Sequence, residues 1–147
     1  IETEKKIIDG WLHTGDYATL DEQGYFYFKG RKDDLINSSG YRIGPSEIEN
    51  TILSIDEVEM AAVVGVPDDL RGQIIKAVIV PRNKTYIDSQ NPELKDKIKN
   101  KVKNKLAAHE YPRIIEFVNE LPLTTTGKIK RNIIREKHLR KINERKI

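Results

Sequence analysis

The sequence predicts an α+β fold, in which a small β-sheet has helices packed on it. Two β-branched runs, 59–67 and 73–81, each end in proline and have the composition of strands. Two other segments, 44–55 and 93–106, repeat apolar residues at three- to four-residue spacing, the period of an amphipathic helix. The 147 residues suffice for one domain, or for one small domain and a fragment of another.

Two hairpins are predicted before the first helix. The stretch "YATLDEQGYFYFK", residues 17–29, places turn residues between aromatic strand formers. Residues 34–43 are predicted to form a second short hairpin around the Ser-Ser-Gly turn at 38–40. The chain between Gly30 and Asp34 separates an aromatic hairpin, too small to be stable alone, from a complete α+β pattern. We therefore expect a domain boundary and an interdomain hinge there.

The first helix is expected to begin near Pro45, because proline suits the first helical turn. Ser46 and Glu49 have the spacing of a capping box, in which two side chains satisfy free N–H groups at a helix start. After the two strands, residues 82–92 are predicted to form a polar loop that leads into the second long helix.

The last third of the chain is predicted to hold a short strand at 113–118, a loop at 121–128 and a final polar helix at 131–146. The apolar residues of this helix form a thin stripe: Ile133, Ile134, Leu139 and Ile142. A helix with so few apolar residues is expected to lie on the surface of the domain.

The composition excludes several classes of function. The chain has no cysteine, which excludes thiol catalysis, cysteine zinc sites and disulfides. No apolar run approaches the 18 residues of a membrane span, and the N-terminal segment lacks the apolar core of a signal peptide. The first residue is not methionine, so we expect a piece of a longer protein. These features together favour an intracellular, cytoplasmic location.

Charge is distributed unevenly along the chain. Residues 1–92 carry 10 lysines and arginines against 16 acidic residues, whereas residues 93–147 carry 16 against 7. A basic C-terminal third indicates an anionic partner such as a phosphate, a nucleic acid or a membrane surface. A lysine-rich, solvated helix surface explains the same count without any partner.

Two loops contain residues suited to binding a nucleotide. In "HTGDY", Asp16 follows a glycine, and a carboxylate can accept two hydrogen bonds from the vicinal hydroxyls of a ribose. An aspartate that caps its own turn is the alternative. In "LTTTGKIKR", Lys128 follows a glycine and is suited to reach a phosphate or a carboxylate as a point charge. A helix start with threonine caps is the alternative there.

Other catalytic sites find no support in the sequence. The loop before Lys128 is not a P-loop, because Pro122 stands where the first glycine would be and an isoleucine follows the lysine. None of His13, His109 and His138 has metal-ligand spacing to another histidine. No serine, histidine and aspartate can be assigned to a triad from sequence.

Three segments together resemble one family. "GWLHTGD", "GRKDDLINSSGYRIGPSEIE" and "LPLTTTGKIKR" are similar, in order and spacing, to the closing motifs of the AMP-forming acyl-CoA synthetases, whose superfamily includes peptide-synthetase adenylation domains and luciferases. The resemblance covers essentially the whole chain, and "HEYPRIIEFVNELP" looks most like the medium-chain members. It implies an enzyme that activates a fatty or aromatic carboxylic acid with ATP and Mg²⁺ as acyl-adenylate. It also implies transfer of the acyl group to CoA.

The resemblance implies a role for each matching residue. Residues 1–32 would end the large N-terminal domain, and residues 33–147 would form a mobile C-terminal domain that rotates about Lys32 and Asp33. Lys128 would be the catalytic lysine of adenylation, bridging the carboxylate and the α-phosphate. Residues that would bind the ATP ribose or phosphate are Asp16 and Arg31. Residues that would bind CoA are Ser39, Gly40, Tyr41, Arg71, Lys103, Tyr111, Pro112 and Arg113, with Arg42 facing the adenylate.

The sequence departs from the family pattern at two places. Three threonines precede Gly127 where the family often has Lys-Thr and then Arg-Ser or Ser, and Lys101 or Lys105 could replace Lys103 on a lysine-alternating helix. The ATP loop, the adenine site and the acyl pocket of the family lie upstream of these motifs. We therefore expect this chain to act together with the N-terminal domain of the same protein. The chain on its own is expected to be inactive.

Two other functions are compatible with parts of the sequence. The first is adenylation that loads a carrier-protein thiol instead of free CoA; Arg71 and the "YPR" segment favour CoA. The second is a non-catalytic nucleic-acid-binding module that uses the lysine-rich helices. The basic helices lack interleaved aromatic residues, and no RNA- or DNA-binding motif is present, so no nucleic-acid partner is expected.

Overall fold

The computed structural model describes residues 6–145, and it begins with two antiparallel hairpins. Their strands are β1 (Ile7–Ile8), β2 (Trp11–Leu12), β3 (Asp16–Leu20) and β4 (Phe26–Arg31). The β3–β4 hairpin confirms the prediction for residues 17–29. The β1–β2 hairpin was not predicted, although Asp9 and Gly10 form a hairpin turn with φ values of 52° and 82°.

A short 3-10 turn, Lys32–Asp34, connects β4 to the rest of the chain. The second predicted hairpin follows it as β5 (Ile36–Ser38) and β6 (Tyr41–Ile43), an antiparallel pair. Its two-residue loop has positive φ at both positions, 51° at Ser39 and 83° at Gly40. This is the turn type whose twist matches that of the flanking strands, and glycine adopts it without strain.

A five-stranded sheet forms the centre of the fold. Its long strands β7 (Val58–Asp68) and β8 (Gly72–Pro81) pair antiparallel over nearly their full length, as their β-branched composition predicts. On the other side of β8, β5 joins near Gly72, and the parallel strand β9 (Ile114–Phe117) pairs further along. The strand order is therefore β6-β5-β8-β7, with β9 beside β8.

Four helices accompany the sheet: α1 (Pro45–Leu53), α2 (Thr85–Ser89), α3 (Pro92–Lys105) and α4 (Arg131–Arg145). The three long helices are those that the sequence predicts. The prediction of a polar loop over 82–92 is wrong in part, because α2 lies within it. No helix within residues 6–145 is both long and apolar enough to cross a membrane.

The predicted capping box at the start of α1 is wrong. Gly44 is the N-cap residue, no side chain caps the helix, and Ser46 lies inside the first turn. Glu49 is buried and accepts a hydrogen bond from the backbone N–H of Val63, at 2.8 Å, on strand β7. The reason is tertiary: β7 is an edge strand, and an N–H group on its outer side needs an acceptor.

Two hydrophobic clusters lie on opposite faces of the sheet. One face packs against α1 and α3, with Ile48, Ile98 and Phe117 buried in it. The other face packs against α4, from which Ile134 is buried. The stripe predicted for α4 is wrong at Leu139, which is 42% exposed because α4 turns positions 134, 138 and 142 inward.

The aromatic residues of the β3–β4 hairpin are exposed within residues 6–145. Its side chains from Tyr25 to Phe28 are between 53% and 76% exposed, and Trp11 is 77% exposed. Neighbouring residues of a strand face opposite sides, so aromatic rings are exposed on both faces of this hairpin. The division of the chain between residues 32 and 33 stays a prediction.

Candidate functional site

Lys128 lies in a tight loop between β9 and α4. Leu123 and Ile129 form an antiparallel bridge. The backbone N–H of Thr124 donates to the carbonyl of Lys128, and the carbonyl of Thr124 accepts from the N–H of Gly127. The hydroxyl of Thr124 also accepts the backbone N–H of Lys128, at 3.0 Å. The loop is therefore a small hairpin rather than a threonine-capped helix start. Lys128 is exposed and forms no ion pair with any residue in 6–145.

Gly127 determines the shape of this loop. Its φ is +81°, a conformation in which L side chains are strained, and it follows directly on a turn closed by its N–H and the carbonyl of Thr124. A turn followed by a left-handed glycine is a common short hairpin connection. The geometry presents Lys128 immediately after the loop tip, as a single cation extended into solvent.

Asp16 and Arg31 lie opposite each other at one end of the β3–β4 hairpin. Their side chains approach to 3.5 Å, and Gly15 lies so close to the guanidinium that a Cβ there would come within 3.1 Å of it. The backbone N–H of Asp16 donates to the Thr14 hydroxyl, at 3.2 Å, whereas the Asp16 carboxylate contacts Arg31. Both charged side chains are exposed to solvent. Asp16 and Lys32 also line a cavity of about 380 Å³.

The predicted hinge residues lie in the 3-10 turn. Lys32 and Asp33 are exposed, and the backbone N–H of Lys32 donates to the carbonyl of Gly15, at 2.7 Å. Gly30, just before them, has a φ of +136°. The segment therefore has few side-chain contacts of its own, as a segment that changes its dihedral angles requires.

The turn at Ser39 and Gly40 lies against Arg71. The backbone N–H of Ser39 donates to the carbonyl of Arg71, at 3.0 Å, and the Arg71 side chain lies 3.8 Å from Asp68. The space beside the Cα of Gly40 is open to 4 Å. The structure thus brings together two segments that are about thirty residues apart in sequence, and their shared role in CoA binding stays a prediction.

A second group of predicted residues lies around Tyr111. The Nζ atom of Lys103 lies 4.3 Å from the centre of the Tyr111 ring, and the guanidinium of Arg113 lies 4.9 Å from it. Both are cation–π distances. Pro112, between Tyr111 and Arg113, is buried, and its predicted part in CoA binding stays a prediction. Within residues 6–145, neither Lys101 nor Lys105 has such a contact.

His109 connects this group to the turn. Its ring stacks on that of Tyr41, with centroids 3.9 Å apart and planes 12° apart. Sequence reasoning did not single out this contact, although His109 stands in the quoted segment "HEYPR". Arg42 points to the opposite face of the strand from Tyr41 and lines a cavity of about 210 Å³ with Lys29, Glu47 and Glu110.

A buried ion cluster around Arg131 was not predicted. One guanidinium nitrogen lies 2.8 Å from each carboxylate oxygen of Glu49, and the other lies 3.3 Å from Asp34. Burial raises the pKa of the Glu49 carboxyl, against the opposing effects of Arg131 and the Val63 N–H. The signal in the sequence was the pair of acids at the ends of "GRKDD" and "SEIE", but only the fold reveals their partner.

A second unpredicted ion cluster lies between β8, β9 and α4. The buried Lys76 lies 2.6 Å from Glu116 and 3.2 Å from the Nδ1 atom of His138, and Lys141 also contacts Glu116. Cavities of about 50 and 460 Å³ border this cluster. Burial acts to raise the pKa of Glu116, but the two lysines outweigh it, and the pKa is lowered.

The described residues do not form a metal site. Within 6–145 there is no group of three or more histidine, cysteine, aspartate or glutamate side chains that could hold a metal ion. The arrangement offers instead a solvent-exposed lysine on a hairpin loop, and a separate cationic and aromatic surface beside a glycine turn. Such groups bind anionic and planar ligands.

Comparison with known proteins gives a consistent assignment. The sequence model of the family described as "AMP-binding enzyme C-terminal domain" matches residues 47–128. The chain is 50% identical, over 129 residues, to 4-hydroxybutyrate--CoA ligase 1 of Metallosphaera sedula, covering 88% of this chain and 22% of that protein. It is 48% identical, over 142 residues, to the human mitochondrial acyl-coenzyme A synthetase ACSM4, covering 95% and 24%.

Solved structures show the same fold. An anthranilate CoA ligase, AuaEII, in complex with anthranoyl-AMP matches with a TM-score of 0.80 and 35% identity, over 92% of this chain and 26% of that one. An acyl-CoA synthetase of Brucella canis matches with a TM-score of 0.69 and 43% identity, over 92% and 24%. The chain therefore spans about a quarter of the length of the proteins that it resembles.

Proposed function

Because this chain belongs to the family of AMP-binding enzyme C-terminal domains, we propose that it is the C-terminal part of an AMP-forming acyl-CoA synthetase. The whole enzyme converts a carboxylate and ATP into an acyl-adenylate and pyrophosphate. The thiol of CoA then attacks the adenylate and releases AMP. The observation that supports the proposal is that one folded unit carries two groups of exposed cationic residues, the Lys128 loop and the surface around Tyr111.

Lys128 is the residue proposed for the first half-reaction. A point charge at the tip of a loop can bridge the substrate carboxylate and the α-phosphate, and it stabilises negative charge that develops as pyrophosphate leaves. The carboxylate of Asp16 would accept hydrogen bonds from the ribose hydroxyls, with Arg31 placed 3.5 Å from it, near the nucleotide. The Mg²⁺ that accompanies ATP would be bound mainly by the upstream part of the enzyme.

The second half-reaction is proposed to use the surface next to the glycine turn. Ser39, Gly40 and Tyr41 would line the path of the CoA arm, and the open space beside Gly40 allows its backbone to be approached. Lys103 and Arg113, both in contact with Tyr111, supply positive charge for the CoA phosphates, and their position favours Lys103 over Lys101 and Lys105. Arg71 adds a further cation, Pro112 supports the chain, and Arg42 would face the adenylate.

The two sites would act in turn through rotation about Lys32 and Asp33. Exposed hinge residues with few contacts allow such a rotation. The N-terminal part of the enzyme, which the relatives possess, would supply the ATP loop, the adenine site and the acyl pocket. The 147-residue chain by itself is therefore expected to be inactive.

The test is made on the full-length protein with residues 1–147 in their natural context. Pyrophosphate release is measured with a panel of fatty and aromatic acids, and conversion of a supplied acyl-adenylate to acyl-CoA is measured separately. Lys128→Ala is expected to slow adenylation about 100- to 1,000-fold, the loss typical of one charge-stabilising group. It should leave thioester formation from supplied adenylate within about threefold. Lys130→Ala, two residues further on, is the matched control.

Other outcomes would favour the other functions. Adenylate that forms without any acylation of free CoA would assign a carrier-protein thiol as acceptor and overturn the CoA-site residues. Nucleic-acid binding that falls steeply with salt and that CoA does not displace would favour a binding module. A cytoplasmic location stays a prediction, because the human relative ACSM4 is a mitochondrial protein.

A further inference from the structure

Arg131 connects three separate parts of the chain. It is the first residue of α4 and lies three residues after Lys128. One of its terminal nitrogens lies 2.8 Å from both carboxylate oxygens of Glu49 on α1. The other lies 3.3 Å from Asp34, which ends the turn that contains the hinge residues. Arg135, one helical turn later, also approaches Asp34, at 3.5 Å.

This cluster is largely withdrawn from water. The side chains of Arg131 and Asp34 are 18% and 17% exposed, and that of Glu49 is 11% exposed. The Nε atom of Arg131 is buried and has no hydrogen-bond partner. Apolar residues of similar volume would hold α4 on the sheet as well as buried ions do, and without the cost of desolvation. Stability alone therefore does not account for three charges here.

The position of the cluster supplies another reason. Backbone hydrogen bonds within the Lys128 loop fix its shape, and the bond from Lys130 N–H to the carbonyl of Pro122 closes its base. These bonds do not fix the direction in which the loop points relative to the hinge. Arg131 adjoins the base of the loop and bonds directly to Asp34, the first residue after the hinge. A guanidinium with a planar fork of donors holds both carboxylates in one defined geometry.

We propose that Arg131 is a positioning residue, which couples the hinge to the Lys128 loop through its bonds with Asp34 and Glu49. This inference rests on the proposed function. When the chain rotates at Lys32 and Asp33, the coupling makes the loop move as one body with Asp34, so that Lys128 arrives at a defined place. The CoA surface lies on the β5–β6 turn and around Tyr111, and none of its residues contacts Arg131. Arg131 therefore serves adenylation and not thioester formation.

The primary test is a double-mutant cycle in the full-length protein. Arg131→Lys keeps the positive charge but loses the guanidinium fork that contacts both carboxylates. It is expected to lower kcat of adenylation about 10- to 100-fold, the loss that a misplacement of Lys128 by about 1 Å would produce. KM for ATP and thioester formation from supplied adenylate should change less than about twofold. In a Lys128→Ala background the same substitution should have no further effect on adenylation, because Arg131 acts through Lys128.

Arg140→Lys is the matched control, since Arg140 is an exposed arginine on the same helix. Additive losses in the double mutant, or equal losses in both half-reactions, would overturn the proposal. If Arg131→Lys does not fold, Asp34→Asn replaces it, because that variant leaves the pair of Arg131 and Glu49 in place and weakens only the connection to the hinge.

A second readout does not depend on activity. Amide hydrogen exchange should increase together at residues 123–130 and 33–36 in Arg131→Lys, and should stay unchanged in Arg140→Lys. Unchanged exchange at 123–130 would refute the coupling even in a protein that forms no adenylate. Conversely, coupled exchange in a protein with no adenylation activity would retain the coupling and refute the proposed function, so the two failures are distinguishable.

Discussion

The ammonium group of Lys76 lies 2.6 Å from a carboxylate oxygen of Glu116, across two neighbouring parallel strands beneath helix α4. The lysine side chain is only 4% exposed, and the glutamate also contacts Lys141. A buried cation of this kind requires its partner, because an unpaired charge in the interior is far more costly than a pair. The cluster thus holds α4 to the sheet through charge as well as through Ile134.

The first prediction concerns acid stability. The lowered pKa of Glu116 means that the folded protein binds a proton less readily at this site than the unfolded chain, whose value is near 4.5. Its stabilisation is therefore present above about pH 4.5 and is lost as the pH falls through the folded pKa. Glu116→Gln should lower the free energy of unfolding at neutral pH by about 1–3 kcal/mol. It should also flatten the decline of stability below pH 4.5.

Urea denaturation between pH 7 and pH 3 measures both effects. Glu59→Gln is the control, because it removes a carboxylate from the exposed ion pair with Lys84. An unaltered pH slope in Glu116→Gln would contradict the prediction. Two other groups face this site: Lys95, whose pKa is lowered by burial and raised in part by Glu116, and His138, whose Nδ1 atom lies beside the Lys76 ammonium.

The second prediction concerns the CoA surface. Lys103→Ala and Tyr111→Leu should each raise KM for CoA about 10-fold, because they remove a cation or the ring that orients two cations. The KM for ATP and the rate of pyrophosphate release should stay the same. Lys101→Ala, an exposed lysine of the same helix, is the control. An equal rise in KM for CoA in the control would assign the effect to general charge rather than to this site.

The third prediction concerns the loop of Lys128. Gly127→Ala places a side chain at a φ of +81°, which is unfavourable by about 1–2 kcal/mol, and the loop is expected to change shape to relieve it. Adenylation should fall about 10-fold, with thioester formation from supplied adenylate unchanged. Gly24→Ala imposes the same backbone strain in the β3–β4 turn, at a φ of +89°, and should leave both half-reactions intact. Adenylation at the unsubstituted rate in Gly127→Ala would refute the role of loop shape.

The fourth prediction concerns the contact between the β3–β4 hairpin and α1. A Cβ at Gly44 would come within 2.3 Å of the carbonyl oxygen of Lys29, so Gly44→Ala cannot keep this arrangement. The ion pair of Lys29 and Glu47 across the same contact should weaken as well. If the chain rotates at Lys32 and Asp33, this variant disfavours one orientation and should slow one half-reaction at least 10-fold more than the other.

Measuring both half-reactions decides this prediction. Ser46→Ala is the control, since Ser46 lies two residues away and makes no hydrogen bond through its side chain within residues 6–145. A uniform loss in both half-reactions would show that Gly44 serves stability alone. No loss at all would show that the hairpin and α1 separate without consequence.

Local sequence patterns were sufficient for most elements. Turn residues between strand formers predicted both the β3–β4 and the β5–β6 hairpins, since a hairpin depends on a few neighbouring dihedral angles. The β-branched runs predicted β7 and β8, and apolar periodicity predicted α3. The resemblance then indicated a lysine on a loop and a cationic surface, and the structure shows an exposed Lys128 and the contacts around Tyr111.

The sequence by itself therefore determined the order of the longer elements and the family to which the chain belongs, but not the β1–β2 hairpin or α2. Only the tertiary structure decided which charges are paired. Glu49 has local capping-box spacing to Ser46, yet it bonds to Val63 and to Arg131, 82 residues further on. Leu139 belongs to the predicted apolar stripe of α4 but is exposed in the structure. Lys76, in contrast, is buried, and Glu116 and His138 contact its ammonium group. Which side chains are buried depends on the faces that meet when distant segments pack together. The energy of burying a charge depends on the partner that this packing supplies, and not on the neighbours in sequence.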